Sequence, residues 1–239
     1  MEQILRCIDS INAKLNQSVM VKNVRYIRQD LPNAYAVDFD DSCFTPQTTA
    51  LDFDRADDTL WVRLNIEHQP DILGIPTAGD RLRIMSVFQA PIELYLNGTL
   101  IMKEDTWSDF RTPEVVAYDS FDPEGCDVVA VKIKTSKSSF CKGRFFFDLF
   151  LEKIDDIRMD LCNMKAELAY LKTIGVSKEE IEKLVQKLAP LYEVEAGTRP
   201  GSEIRGILAE VRKAGEHLRE IAKQNTVYMV GHAHIDMNW

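Results

Sequence analysis

The sequence predicts a mainly β chain, with an antiparallel β-sandwich first, a helical connector next and one strand of a different kind last. Three observations carry this. Between about Asn33 and Ile154, short runs rich in β-branched and aromatic residues alternate with clusters of Gly, Pro, Asp and Ser, the texture of many short strands at turn spacing. From about Asp155 the apolar period lengthens to a helical one, with Ile157, Leu161, Met164, Leu168 and Leu171 in register. Near the end, Val227-Tyr228-Met229-Val230 is apolar without alternation, as in a strand buried on both faces of a parallel sheet.

Taken in order, residues 1–16 read as a helix with Ile4, Cys7, Ile8, Ile11 and Leu15 on one face. Strand-like runs follow at Tyr35–Phe39, Leu60–Ile66, Leu82–Phe88, Ile92–Leu96, Leu100–Met102, Val128–Ile133 and Arg144–Leu151. The best specified local structure is the hairpin Leu94-Tyr95-Leu96-Asn97-Gly98-Thr99-Leu100-Ile101, because Asn-Gly is the preferred centre of a tight turn. Gly175 ends the first connector helix. Ser177 with Glu180 three residues later is a capping-box signature, opening a helix to about Leu191. Gly197 to Gly201 form a break. Ser202 then starts a third helix with Ile204, Ile207, Leu208, Val211, Leu218 and Ile221 as its apolar positions. The expected division is an N-terminal helix and lead-in over 1–32, a sandwich over 33–154, a connector over 155–225 and the first strand of a truncated α/β domain over 226–239.

Composition bounds the function. The 239 residues carry a formal net charge of −9, with 45% hydrophobic and 28% charged residues. That is ordinary globular composition, and it lacks the basic stripe that phosphate-tracking proteins need. No window has the apolar length of a transmembrane helix, and the N-terminus lacks the order of a signal peptide. Five scattered cysteines without a C-x-x-C pattern suit a reducing compartment. A cytoplasmic protein is the expectation.

The chemistry-bearing stretch is Gly231-His232-Ala233-His234-Ile235-Asp236-Met237-Asn238-Trp239. In an extended conformation, alternate residues share a face, so His232, His234 and Asp236 would lie together. Imidazole and carboxylate are standard zinc ligands, and α/β folds build their sites at the carboxyl ends of strands. A single histidine near a strand end is usually structural, but here two of the chain's four histidines lie within three residues, beside a carboxylate.

This motif resembles the opening motif of the catalytic domain in glycoside hydrolase family 38, the class II α-mannosidases. More narrowly, it looks like the cytosolic and vacuolar branch and its bacterial relatives, whose motif reads close to G-H-x-H-I-D-x-x-W. The resemblance implies that His234 and Asp236 bind Zn2+, that Trp239 walls the sugar subsite and that His232 is at most supporting. Family members carry a galactose-binding-like β-sandwich and a helical segment ahead of the catalytic domain. Trp61-Val62-Arg63 and Leu94-Tyr95-Leu96-Asn97-Gly98 are similar to patterns of that sandwich.

The implied activity is retaining hydrolysis of terminal α-linked mannose, by a carboxylate nucleophile and an acid/base carboxyl group. The partners would be mannosides or mannose-containing oligosaccharides, with self-association also expected. In the family, the nucleophile, the general acid and the last zinc histidine lie beyond the residue matching Trp239. The chain would then hold a partial zinc site and no catalytic residue, and is expected to be inactive alone.

Two rivals remain open. In an amidohydrolase-type barrel, His232 and His234 would both be ligands. In a carbohydrate-binding or assembly module without catalysis, exposed aromatics would bind sugar, with Trp61, Trp107 and Tyr118 as candidates. Trp61 sits in a strand-like run and reads as core, while Trp107 reads as exposed. Glu67-His68-Gln69-Pro70 reads as a strand end and turn, and His217 as solvated or paired. The acidic loop with Asp52, Asp54, Asp57 and Asp58 lacks an EF-hand register.

Overall fold

A computed structural model describes residues 1–16, 20–47, 50–53, 58–88, 90–105, 114–135 and 143–224. The chain opens with helix α1 (Glu2–Leu15), whose buried stripe is Ile4, Cys7, Ile8, Ile11 and Leu15. Strands β1 (Met20–Ile27), β2 (Thr45–Pro46), β3 (Ala50–Phe53) and β4 (Asp58–Glu67) follow. The two-residue strands β5 (Asp71–Ile72) and β6 (Ile75–Pro76) form a small ladder ahead of β7 (Leu82–Phe88). Then come β8 (Ile92–Leu96), β9 (Thr99–Glu104), β10 (Glu114–Tyr118), β11 (Cys126–Thr135) and β12 (Gly143–Leu151). The last described elements are α2 (Glu152–Thr173), α3 (Lys178–Lys187), α4 (Leu191–Glu195), α5 (Ile204–Ala214) and α6 (Arg219–Lys223).

The larger sheet has the order β2-β1-β4-β11-β8-β9 and the smaller β10-β7-β12-β3. Every described pairing is antiparallel. Period-2 alternation sends Leu60, Val62, Leu64 and Ile66 of β4 inward with Val129, Val131 and Ile133 of β11 and Ile92, Leu94 and Leu96 of β8. They share one core with Leu82 and Ile84 of β7 and Leu149 and Leu151 of β12. At the hairpin, Asn97 and Gly98 have φ of 47° and 79°, the pair of positive values that a type I′ turn requires.

The same core continues into a helical layer. There α1 packs on α2 and α4 rather than standing apart. Each fully buried apolar side chain of its stripe contributes about 2 kcal/mol. Lys14 Nζ donates to Glu195 O at 2.7 Å and Asn12 Nδ2 to Cys162 Sγ at 3.4 Å, while Lys165 pairs with Asp9.

Two joints tie this layer to the sandwich. Asp80, 1% exposed, accepts Lys153 N at 3.1 Å, so a sandwich loop caps the first turn of α2. Gly201 N donates to Leu73 O at 2.7 Å, and a Cβ at Gly201 would stand 3.0 Å from both that carbonyl and Ile75 Cδ1.

Several expectations are corrected. Tyr35–Phe39 is not a strand: Asn33 has φ 59°, Ala36 N bonds Asn33 O at 2.8 Å, and Phe39 N bonds Ala36 O at 3.2 Å, giving successive turns. Strand β1 lies within the stretch read as a lead-in, and β3 and β10 also escaped the sequence reading. Helix α3 stops at Lys187, because Pro190 has no N–H to continue the ladder, and α4 restarts after it. The third connector helix is broken at Gly215 into α5, a 3-10 turn over Glu216–Leu218 and α6.

Candidate functional site

The most elaborated surface feature lies on the outer face of the larger sheet. Trp61 and Arg63 alternate with the inward residues of β4, so both side chains point outward. They are nevertheless 2% and 3% exposed. The segment 28–44 covers them. Arg63 Nη1 donates to Ala34 O at 2.5 Å and Ala36 O at 2.9 Å, and its Nε to Asp41 Oδ2 at 3.1 Å. Its guanidinium also lies over the Phe39 ring at 5.5 Å. Arg25, the cross-strand partner of Arg63, reaches Asp41 Oδ1 at 3.1 Å. The W-x-R pattern is therefore a clasp. The Arg is the fork that gathers two carbonyls and a carboxylate, and the Trp is the floor.

Beside the clasp, the covering segment leaves a depression of about 330 Å³ lined by residues 30–33 and Tyr35 of that segment and by Trp61, Glu93, Tyr95 and Lys132 of the sheet. Sheet register assembles its floor. Lys132 of β11 is the direct partner of both Trp61 on β4 and Glu93 on β8, and Ala130 is the partner of both Arg63 and Tyr95. The small side chain of Ala130 fits an aromatic wall above it, where Tyr35 stacks on Tyr95 at 4.8 Å and 15°. Lys132 Nζ lies 5.5 Å over the Trp61 ring and 2.6 Å from Asp30 Oδ1.

Tyr95 OH donates to Glu93 Oε2 at 2.8 Å. Burial first, then that hydrogen bond, pushes the Tyr95 phenol up to about 12. Glu93 also lies 3.4 Å from Lys103 Nζ. The indole Nε1 of Trp61 is buried with no hydrogen-bond partner among the described residues.

A second polar cluster closes one end of the sandwich. Asp127 Oδ1 accepts from Asn97 Nδ2 at 2.6 Å and Tyr118 OH at 2.8 Å, and its Oδ2 accepts from His68 Nε2 at 2.7 Å. Val128 N donates back to Asn97 Oδ1 at 2.9 Å. Burial, then the bond to Asp127, raises the Tyr118 phenol pKa. Such a group resists becoming a phenolate. The cluster pins the β8–β9 turn to β11 rather than presenting a nucleophile.

Among the sequence-derived candidates, Trp61 is core, as its strand-like surroundings indicated. Tyr118 is half-buried, and its hydroxyl donates to Asp127. His217 pairs with Glu180 at 3.0 Å. Trp107, His232, His234, Asp236 and Trp239 lie outside the described residues, and with them the expected zinc site. Among the described residues, no group of three or more His, Cys, Asp or Glu side chains is arranged to hold a metal ion, and no helix is long and apolar enough to cross a membrane. The residues that sequence reasoning missed are Tyr35, Glu93, Tyr95 and Lys132. Their one local signal is the outward alternation of Glu93 and Tyr95 between buried Ile92, Leu94 and Leu96.

No family model and no curated protein matches the chain. Among solved structures, the chain is similar to a glycosyl hydrolase family 2 member from Bacteroides cellulosilyticus at 12% identity and TM-score 0.41, over 55% of this chain and 20% of that one. It is similar to a β-glucosidase from Kluyveromyces marxianus at 13% identity and TM-score 0.35, over 64% of this chain and 17% of that one. It is also similar to the PA14 sugar-binding domain from an RTX adhesin at 9% identity and TM-score 0.28, over 40% of this chain and 48% of that one. The matched region thus spans about a fifth of the length of the two glycosidases. At these scores the likenesses assign neither a family nor an activity.

Proposed function

We propose that these 239 residues are the N-terminal region of a zinc-dependent retaining α-mannosidase of the cytoplasm that hydrolyses terminal α-linked mannose. The observation that supports the reading is the order of parts along the chain. A β-sandwich and a helical layer precede G-H-x-H-I-D-x-x-W over residues 231–239. In this reading His234 supplies an imidazole and Asp236 a carboxylate to the metal, a donor set that suits zinc. Trp239 offers an aromatic face to the sugar, and His232 supports the ligands. When bound, zinc would hold mannose hydroxyls and favour a distorted ring. In this reading none of these residues is assigned as either of the two carboxyl groups of retaining hydrolysis.

Metal analysis of the product of the whole reading frame tests this. His234→Ala and Asp236→Ala should each lower bound zinc by at least tenfold, the scale on which ligand losses act, while His232→Ala keeps it. Zinc lost in His232→Ala but retained in Asp236→Ala would contradict the mannosidase assignment and favour an amidohydrolase-type barrel.

A further inference from the structure

We propose that the depression between the 30–35 segment and the outer face of β4, β11 and β8 is a binding site for a single neutral pyranose ring. The inference is independent of the terminal histidine motif, and either can fail without the other.

Four features define the occupant. The volume of about 330 Å³ lies at the small end of ligand sites, suited to one ring rather than an oligomer. Tyr35 and Tyr95, stacked beside the nearly inaccessible Trp61, supply aromatic surface, which favours the C–H face of a ring over a fully polar solute.

The charges also select against ions. Lys132 is matched by Asp30 at 2.6 Å and faces Glu93 in register, so an anion would meet two carboxylates. A free cation would meet the Lys132 ammonium beside it and find Glu93 already engaged by Tyr95 and Lys103. What is left is a set of donors and acceptors around an apolar wall, the requirement of a neutral polyol. Finally, Trp61, which lines the depression, has a buried indole N–H without an acceptor among the described residues, which is costly. A ligand hydroxyl reaching it would supply that acceptor.

The test is a titration of the isotope-labelled chain with methyl α-mannopyranoside, methyl β-glucopyranoside and methyl β-galactopyranoside. Glucuronate and glucosamine serve as charged controls. Nuclear magnetic resonance would follow the indole N–H signal assigned to Trp61 through its loss in Trp61→Phe. At least one neutral pyranoside should shift that signal and the amides of residues 30–35 saturably, with Kd of about 1 mM, as for a ligand of so few atoms. Glu93→Gln and Lys132→Met, checked as folded by their spectra, should each weaken binding by about fivefold, the loss of one hydrogen bond. No saturable shift with any neutral pyranoside would overturn the proposal. So would stronger binding of glucuronate or glucosamine, or binding unchanged in both variants.

Discussion

Arg63 Nε meets Asp41 Oδ2 at 3.1 Å while its Nη1 holds the carbonyls of Ala34 and Ala36. One buried side chain thereby fastens a run of turns over a sheet face. Arg63→Met keeps the stem but leaves two carbonyls without their donor and Asp41 with Arg25 as its remaining partner. It should destabilise the fold by about 2 to 3 kcal/mol, the range of charged hydrogen bonds, read as a lower urea midpoint. Arg63→Lys should recover less than half of this, because an ammonium lacks the planar fork. A midpoint unchanged in Arg63→Met would show that the segment is held by other contacts.

Asp80 and Gly201 join the helical layer to the sandwich from two sides. Asp80→Ala removes the acceptor for Lys153 N and should cost about 1 to 2 kcal/mol, with faster hydrogen exchange confined to the first turn of α2. Asp80→Asn, which still accepts, should lose less. Gly201→Ala places a methyl 3.0 Å from a backbone oxygen and should cost about 1 to 3 kcal/mol by overpacking, with exchange rising over β5 and β6 instead. Uniform changes in exchange would mean that the joints are not local.

Asp127 accepts hydrogen bonds from His68, Asn97 and Tyr118. Asp127→Ala removes the acceptor of three donors, of which Asn97 Nδ2 keeps Tyr118 OH at 3.1 Å, and should destabilise by about 2 to 3 kcal/mol. Asp127→Asn should cost less, since its one oxygen can still accept. Equal losses in the two variants, measured by thermal unfolding, would argue that charge rather than hydrogen bonding holds the turn.

Alkaline pH should weaken the fold. Tyr95 is raised from an ordinary 10.0 to about 12, and Cys7 from 9.0 to about 12, burial being the leading cause in both. Below the ordinary values both groups are protonated folded and unfolded, and their contribution is fully present. As pH rises past 9.0 and 10.0 the unfolded chain releases these protons while the folded chain keeps them, so stability falls until about 12. Urea midpoints should decline over this window. Tyr95→Phe and Cys7→Ala should each flatten the decline, and a slope unaffected by either would assign it to other groups.

The regular parts of this fold were legible because their periods are clean. The stripe of α1, the alternation in β4 and the Asn97-Gly98 turn each need only local spacing. Strand β1 was not legible because Asn23, at φ 54°, sits at a register shift between Lys22 and Arg25, and a bulge breaks the alternation that marks a strand. Tyr35–Phe39 looked like a strand because it is rich in apolar and aromatic residues, but Tyr35 and Phe39 are half-buried as a cover over Trp61 and Ala130, and Val37 is exposed. The depression was invisible for a related reason. Its floor depends on Lys132 being paired with both Trp61 and Glu93, which no local pattern encodes. The reading of the terminal motif rests on residue types and resemblance alone, because residues 231–239 lie outside the described residues.

The most direct measurement of the central claim is an assay of the product of the complete reading frame on an aryl α-mannopyranoside, with bound zinc present and then removed. The account predicts turnover that disappears with the metal, returns when zinc is restored and falls by at least a hundredfold in Asp236→Ala, the scale of losing a transition-state interaction. Turnover indifferent to zinc, activity confined to β-glycosides, or a reading frame that closes at Trp239 would contradict it.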